Sequence, residues 1–245
     1  RVMRAYSTDT ADRVGKLTTR RGLNTFVWDL RREAPTTLAN VVLFGAPQGG
    51  GARVMPGRYT ARLTVNGAVQ SRDFTVRLDP RLGEIPVSVL AERDSIANLL
   101  AVRIGEMHDA ALRVRDLKAQ VNGIVTRTTN EPLADSIATQ GRALTGKIEK
   151  LDPRMTTKAG NGQDIINYAN GLNGQFGFLL GQVEGHPALT AQVKDRLAEL
   201  ERAWTALRTE VEIVETVDVD AFNKLLARAN VPGLITPKPK PKVIM

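Results

Sequence analysis

Gly22-Leu23-Asn24-Thr25-Phe26-Val27-Trp28-Asp29-Leu30-Arg31 reads as one β-strand with alternating faces. Leu23, Thr25, Val27 and Asp29 share one side; Asn24, Phe26, Trp28 and Leu30 share the other. Phe26, Trp28 and Leu30 form the expected buried row. The chain has only 2 Trp, 3 Tyr and 6 Phe, and each large aromatic can bury roughly 150–250 Å². Two of them in one strand place a core there.

The flanking sequence extends the β pattern. Val2, Arg4 and Tyr6 alternate with Met3 and Ala5. Asp9 to Lys16 is polar and loop-like. Ala34-Pro35 stops the Trp28 strand, because proline cannot donate to a ladder. Val41-Val42-Leu43-Phe44 is a short apolar strand, followed by a glycine-rich loop from Gly45 to Gly51. Pro56-Gly57 turns the chain into Arg58 to Val65, with Tyr59, Ala61, Leu63 and Val65 on one face. Asn66-Gly67 is a strong hairpin signal, since both residues tolerate positive φ. Ala68 to Leu78 returns as the partner strand, with Phe74, Val76 and Leu78 alternating. Short strands at this spacing predict an antiparallel, immunoglobulin-like sandwich over residues 1–82.

From Ser88 the apolar period changes from two to between three and four. Ser88 is the expected N-cap of a helix over about 89–127, and Met107, Ala110, Val114, Leu117, Val121 and Ile124 form its seam. Pro132 opens a second helix with Leu133, Ile137, Leu144, Ile148 and Leu151 inward, closed by Asp152-Pro153. A third helix carries Ile165, Tyr168, Leu172, Phe176, Leu179 and Val183. A fourth keeps Leu189, Val193, Leu197, Leu200, Trp204, Leu207, Val211 and Val214 in one stripe. A short helix around Leu225 follows, with Asp220 as its expected N-cap. Residues 83–230 thus predict an antiparallel helical bundle. Residues 231–245 form a tail whose Pro237 to Lys242 stretch is basic and of polyproline type. The fold class expected is α+β, in two domains and a tail.

Composition bounds the function. The 245 residues carry a net charge of +8 and no cysteine. Thiolate metal sites and disulfides are excluded, and the lack of thiols fits an oxidising compartment. The positive charge suits a partner with an acidic surface. The cations are scattered and not interleaved with aromatics, so nucleic acid is not the expected partner. No apolar run approaches the roughly 18–20 residues of a membrane span. The chain opens at Arg1 with no leader, which suggests a processed or partial chain.

Chemistry-bearing motifs are few. His108 lies beside Glu106 and Asp109, but neighbouring helix residues do not face each other; both His108 and His186 are expected at the surface. Asp218 and Asp220 lack the oxygen ligands and glycine of a calcium loop. The Gly49-Gly50-Gly51 loop has no following Gly-Lys-Ser/Thr and is not a phosphate loop. No catalytic residue, cofactor or metal ligand is expected. The candidate partner-binding residues are Gly49, Gly50 and Gly51, as a docking loop, and Lys238, Lys240 and Lys242, as an extended arm. Gly171, Gly174, Gly177, Gly181 and Gly185 recur at helical spacing. Each costs a helix about 1 kcal/mol relative to alanine, so the series implies close approach of another backbone, from this chain or a partner.

The Gly22–Arg31 stretch, Pro56-Gly57-Arg58-Tyr59-Thr60-Ala61-Arg62-Leu63-Thr64-Val65-Asn66-Gly67, Leu78-Asp79-Pro80-Arg81, and Ile104 with Arg113 to Lys118 together resemble the C-terminal region of bacterial sortilin-like, BNR-repeat propeller proteins. The Trp-Asp and Pro-Gly-x-Tyr-Thr pieces also resemble the Ig-like module of flagellar hook-capping proteins. The resemblance implies export and an Ig-like sandwich beside a helical domain. It lacks the propeller, so no propeller activity carries over. The function expected is a non-catalytic, periplasmic or extracytoplasmic scaffold. It would dock on and stabilise a larger assembly, with a membrane-bound complex of photosynthetic type as the named candidate. The alternative is an accessory module of a propeller glycoside hydrolase-like protein. That role needs exposed aromatics, whereas Trp28 and Trp204 both read as buried.

Overall fold

Val87 to Arg127 form one α-helix of 41 residues, about 60 Å long at 1.5 Å per residue. The computed structural model describes residues 3, 4, 6, 17–41, 43, 45–47, 51–157 and 170–236. We name this long helix α1 (Val87–Arg127). It is followed by α2 (Ala134–Met155), α3 (Leu172–Gly185), α4 (Ala191–Ile213) and α5 (Val219–Arg228). A π-turn over Val214–Asp218 joins α4 to α5. α1 packs against α2 and α3, and α4 packs against α3 and α2.

The helical periodicity is carried into the core. Met107, Ala110, Val114, Leu117, Val121 and Ile124 are all buried on α1, and Leu200, Trp204, Leu207 and Val211 on α4. Trp204, Phe176 and Phe222 are the largest buried side chains; aliphatic residues fill most of the rest. Charged pairs tie the helices at the rim: Arg103 to Glu201, Arg113 to Glu215, Lys147 to Asp218 and Arg154 to Glu210. The Trp204 indole N–H donates to Glu106. No described helix is long and apolar enough to cross a membrane.

Helix ends differ from expectation. α1 starts at Val87 behind Pro86, with Ser88 already inside and no side-chain cap. α2 runs through Pro153 to Met155. Proline is tolerated there because only one N–H is lost in a final turn. Leu133, expected inward, sits before α2 with φ 65° and is exposed. Asp220 is not a cap, because the π-turn continues the helix into α5; it pairs with Lys224 instead. Ile165 and Tyr168 lie outside the described residues.

The expected β-sandwich is overturned. Among the described residues the only sheet is a two-stranded antiparallel hairpin, β1 (Gly57–Val65) and β2 (Ala68–Val76). Asn66 (φ 49°) and Gly67 (φ 82°) make its turn, as their sequence predicts. The Trp28 stretch is extended but pairs only briefly. Arg31 bridges Arg53, the Arg32 N–H donates to Ala52, and the Val54 N–H donates to Leu30. Leu30 itself has φ 59°, which breaks the strand. The expected buried row is therefore half out in solvent: Phe26 and Leu30 are each 38% exposed. Trp28 is half-buried.

After α5 the chain folds back. Asn230 (φ 54°) reverses it. The Leu234 N–H donates to Asn223, and the Ile235 N–H donates to Gln120. Both amides donate back, to the carbonyls of Leu234 and Ile235. The tail is thereby strapped onto α1 and α5 as far as Thr236. Lys238, Lys240 and Lys242 lie outside the described residues, as do Gly49 and Gly50.

Candidate interaction surface

The hairpin is built as an arm with a fixed root. Tyr59 stacks on Phe74 across the strands at 6.0 Å, and Trp28 meets both edge-on at 5.8 and 6.0 Å. The Tyr59 hydroxyl donates to the Met55 carbonyl. An isolated two-stranded hairpin is marginal in water, so this aromatic cluster anchors it. Trp28 is in turn held by its indole N–H, which donates to the Arg31 carbonyl.

Beyond the root, both faces are open. Leu63 is 52% and Val65 55% exposed. Pairing puts Gly57, Tyr59, Ala61, Leu63 and Val65 on one face of β1 and Arg58, Thr60, Arg62 and Thr64 on the other. Arg58, Arg62 and Arg72 on the strands, and Arg77 just after them, are exposed. None of the four has an ion-pair partner among the described residues. Asp73, the hairpin's one carboxylate, accepts from the Thr60 hydroxyl. On β1 an apolar row and the pair Arg58 and Arg62 thus stand on opposite faces, while β2 sets Arg72 beside Ala61 on the first face and Asp73 beside Thr60 on the second.

The arm's base is clamped to the bundle. Arg31, 7% exposed, forms a two-pronged pair with Glu184 near the end of α3, at 3.1 and 2.8 Å. The same carboxylate accepts the Arg53 N–H at 2.8 Å, and Arg31 also donates to the Gly51 carbonyl. Arg32 pairs with Asp94 of α1. Nothing in the sequence links Arg31 to Glu184, which stand 153 residues apart. Gly51 is buried within this junction, its N–H donating to the Arg32 carbonyl.

His108 is not at the surface but 2% exposed. Its Nδ1–H donates to the Thr36 carbonyl, so Nε2 is bare and accepts from the Asn173 amide at 3.0 Å. Asn173 in turn accepts the Thr157 N–H at 2.8 Å. This chain of bonds holds the imidazole neutral and joins α1 to α3 and two loops. Burial pushes the His108 pKa down, against the smaller upward pull of the Thr36 bond and of Asp109. The unfolded chain therefore binds a proton more readily than the folded one. Stability is full above the ordinary histidine value of about 6.5 and declines as pH falls below it. Urea midpoints measured across that window should fall with pH for the native chain. They should fall less for His108→Gln, which keeps an amide donor and acceptor but cannot titrate; parallel profiles would show that His108 is not the group responsible.

His186 is exposed, and its carbonyl accepts from Arg93. Asp218 is held by Lys147. No cluster of His, Cys, Asp and Glu that could hold a metal occurs among the described residues.

Compared with family models, curated proteins and solved structures, the chain finds no match. The resemblance to sortilin-like propeller proteins thus rests on the quoted motifs alone.

Proposed function

We propose that this protein is a non-catalytic interaction subunit, a helical body that carries a β arm for docking on a larger, acidic assembly. The arm supports this reading most directly. Its root is packed by Trp28, Tyr59 and Phe74 and its base is clamped through Arg31 and Glu184, yet its outer apolar row is about half exposed and its four arginines are exposed with no ion-pair partner among the described residues. Clustered cations without partners raise both the rate and the specificity of association with a negative surface. The excess of +8 charges over the whole chain acts in the same direction. A periplasmic or extracytoplasmic setting and a membrane-bound client belong to this proposal, by way of the absence of cysteine and the family resemblance. Affinity capture from the envelope fraction tests it, with the native chain beside Arg58→Glu/Arg62→Glu. Recovery of one complex of fixed stoichiometry, lost in the variant, is the expected result. No stable association, or one indifferent to the variant, would overturn it.

A further inference from the structure

The β1 strand combines three features that define what it can hold. Its outer edge is unpaired among the described residues, so alternate N–H and C=O groups along it lack strand partners. On one face of that strand stand Arg58 and Arg62, four residues apart and about 13 Å along a strand. On the other face stand Ala61, Leu63 and Val65, all exposed. We propose that β1 receives an extended segment of another protein as a third, hydrogen-bonded strand, and that this segment alternates apolar and acidic residues. This deepens the docking role given above and rests on it.

The two rows select the occupant. A strand added beside β1 must send successive side chains to opposite faces. One set then lies beside Arg58 and Arg62, where carboxylates match the guanidinium fork. The other set lies beside Ala61, Leu63 and Val65, where apolar groups exclude water. A second copy of β1 fits poorly, since it would set arginine beside arginine, and like charges across a pair are destabilising. The same charges that guard the edge against self-pairing thus recruit an acidic strand. Backbone bonds supply the affinity in this mode, and the alternating side chains supply the choice. Asp73 stands on this same face across from Thr60, accepting from its hydroxyl, but on β2 it is one strand further from the added segment than Arg58 and Arg62 are.

The test uses a short fluorescent peptide alternating valine and glutamate, titrated into the full chain by anisotropy. Binding is expected to weaken at least roughly tenfold for a peptide of the same composition with its valines and glutamates in two blocks. Methylating alternate backbone nitrogens should abolish it in one phase of the alternation and spare it in the other. Arg58→Glu/Arg62→Glu should lose the acidic peptide and gain a valine–lysine one, a reversal that a merely unfolded variant cannot give. Equal binding of the block peptide, or of both methylated forms, overturns the proposal. So does binding confined to anionic vesicles or duplex DNA, even if Arg58 and Arg62 are needed for it. A complex captured from the envelope through Arg58 and Arg62 while the peptide fails would leave the docking role standing and remove the added strand.

Discussion

Glu184→Ala lowers the stability of the folded chain by about 3–5 kcal/mol, the range found when one partner of a buried ion pair is removed. The size follows from what remains. Arg31 is 7% exposed and cannot swing out to water without unpacking the junction around Gly51 and Ala52. Glu184 accepts three bonds, two from the Arg31 guanidinium and one from the Arg53 N–H. Truncating it leaves a buried cation and a backbone donor unmet, and an unmet buried group costs more than the bond itself gained. Gln in place of Glu keeps one acceptor but not the charge, so it should fall between the native chain and alanine. Replacing both partners, as Arg31→Met with Glu184→Leu, removes the charges together and should recover a substantial part of the loss. Urea unfolding of these three variants beside the native chain measures this. Limited proteolysis adds the location, with cleavage between residues 17 and 57 rising first, because that segment is what the pair ties to α3. A double variant as unstable as the worse single one would mean that packing at the junction, and not the uncompensated charge, sets the cost.

How much of this was legible in the sequence depends on how local each signal is. The α1 and α4 stripes were readable because a 3.6-residue period is written within the segment that forms the helix. Asn66-Gly67 was readable because its turn needs only those two residues. The sandwich was not. Alternation at Phe26, Trp28 and Leu30 shows that two faces differ, but not what covers either face. Here Leu30 takes a positive φ, and the backbone of residues 32 and 33 finds its partners at Met3 and residues 51–52. The same limit misled the reading of Leu63 and Val65, whose apolar face stays open and turns out to be the feature of interest. His108 could have been found. It lies four residues after Ile104 and three before Ala111, both in the buried stripe, and that spacing outweighs the acidic neighbours in sequence. Glu184 had no such signal, since its meaning depends on a contact made only once the N-terminal segment is laid along the bundle.

The glycines of α3 bring local signal and remote partner together, and they predict a split in sign. At Gly181 an added Cβ would run into the Gly45 carbonyl oxygen. At Gly171 it would meet Thr156 and Thr157 backbone atoms at 2.5, 2.7 and 2.8 Å. These are main-chain atoms, which cannot rotate aside as a flexible side chain would. Gly177 is close to Ala46 and Leu43, and Gly174 to the Thr157 hydroxyl. Four of the five glycines are thus spent inside the chain, letting residues 43, 45, 46, 156 and 157 lie directly against them, whereas Gly185 has open space where its Cβ would go. Gly146, in the middle of α2, has open space where its Cβ would go. Alanine at Gly146 should therefore stabilise by about 0.5–1 kcal/mol through helix propensity alone. Alanine at Gly181 offers the same propensity gain but must displace a backbone segment. Overpacking of that kind costs about 1–3 kcal/mol, so the net effect should be destabilising, and more so for Gly181→Val. At roughly 2–4 °C per kcal/mol for a chain of this size, the two alanine variants should separate by several degrees, on opposite sides of the native melting temperature. If Gly181→Ala instead melts at or above the native chain, the loop from Gly45 does not rest on α3, and the glycine face is left for some other backbone to fill.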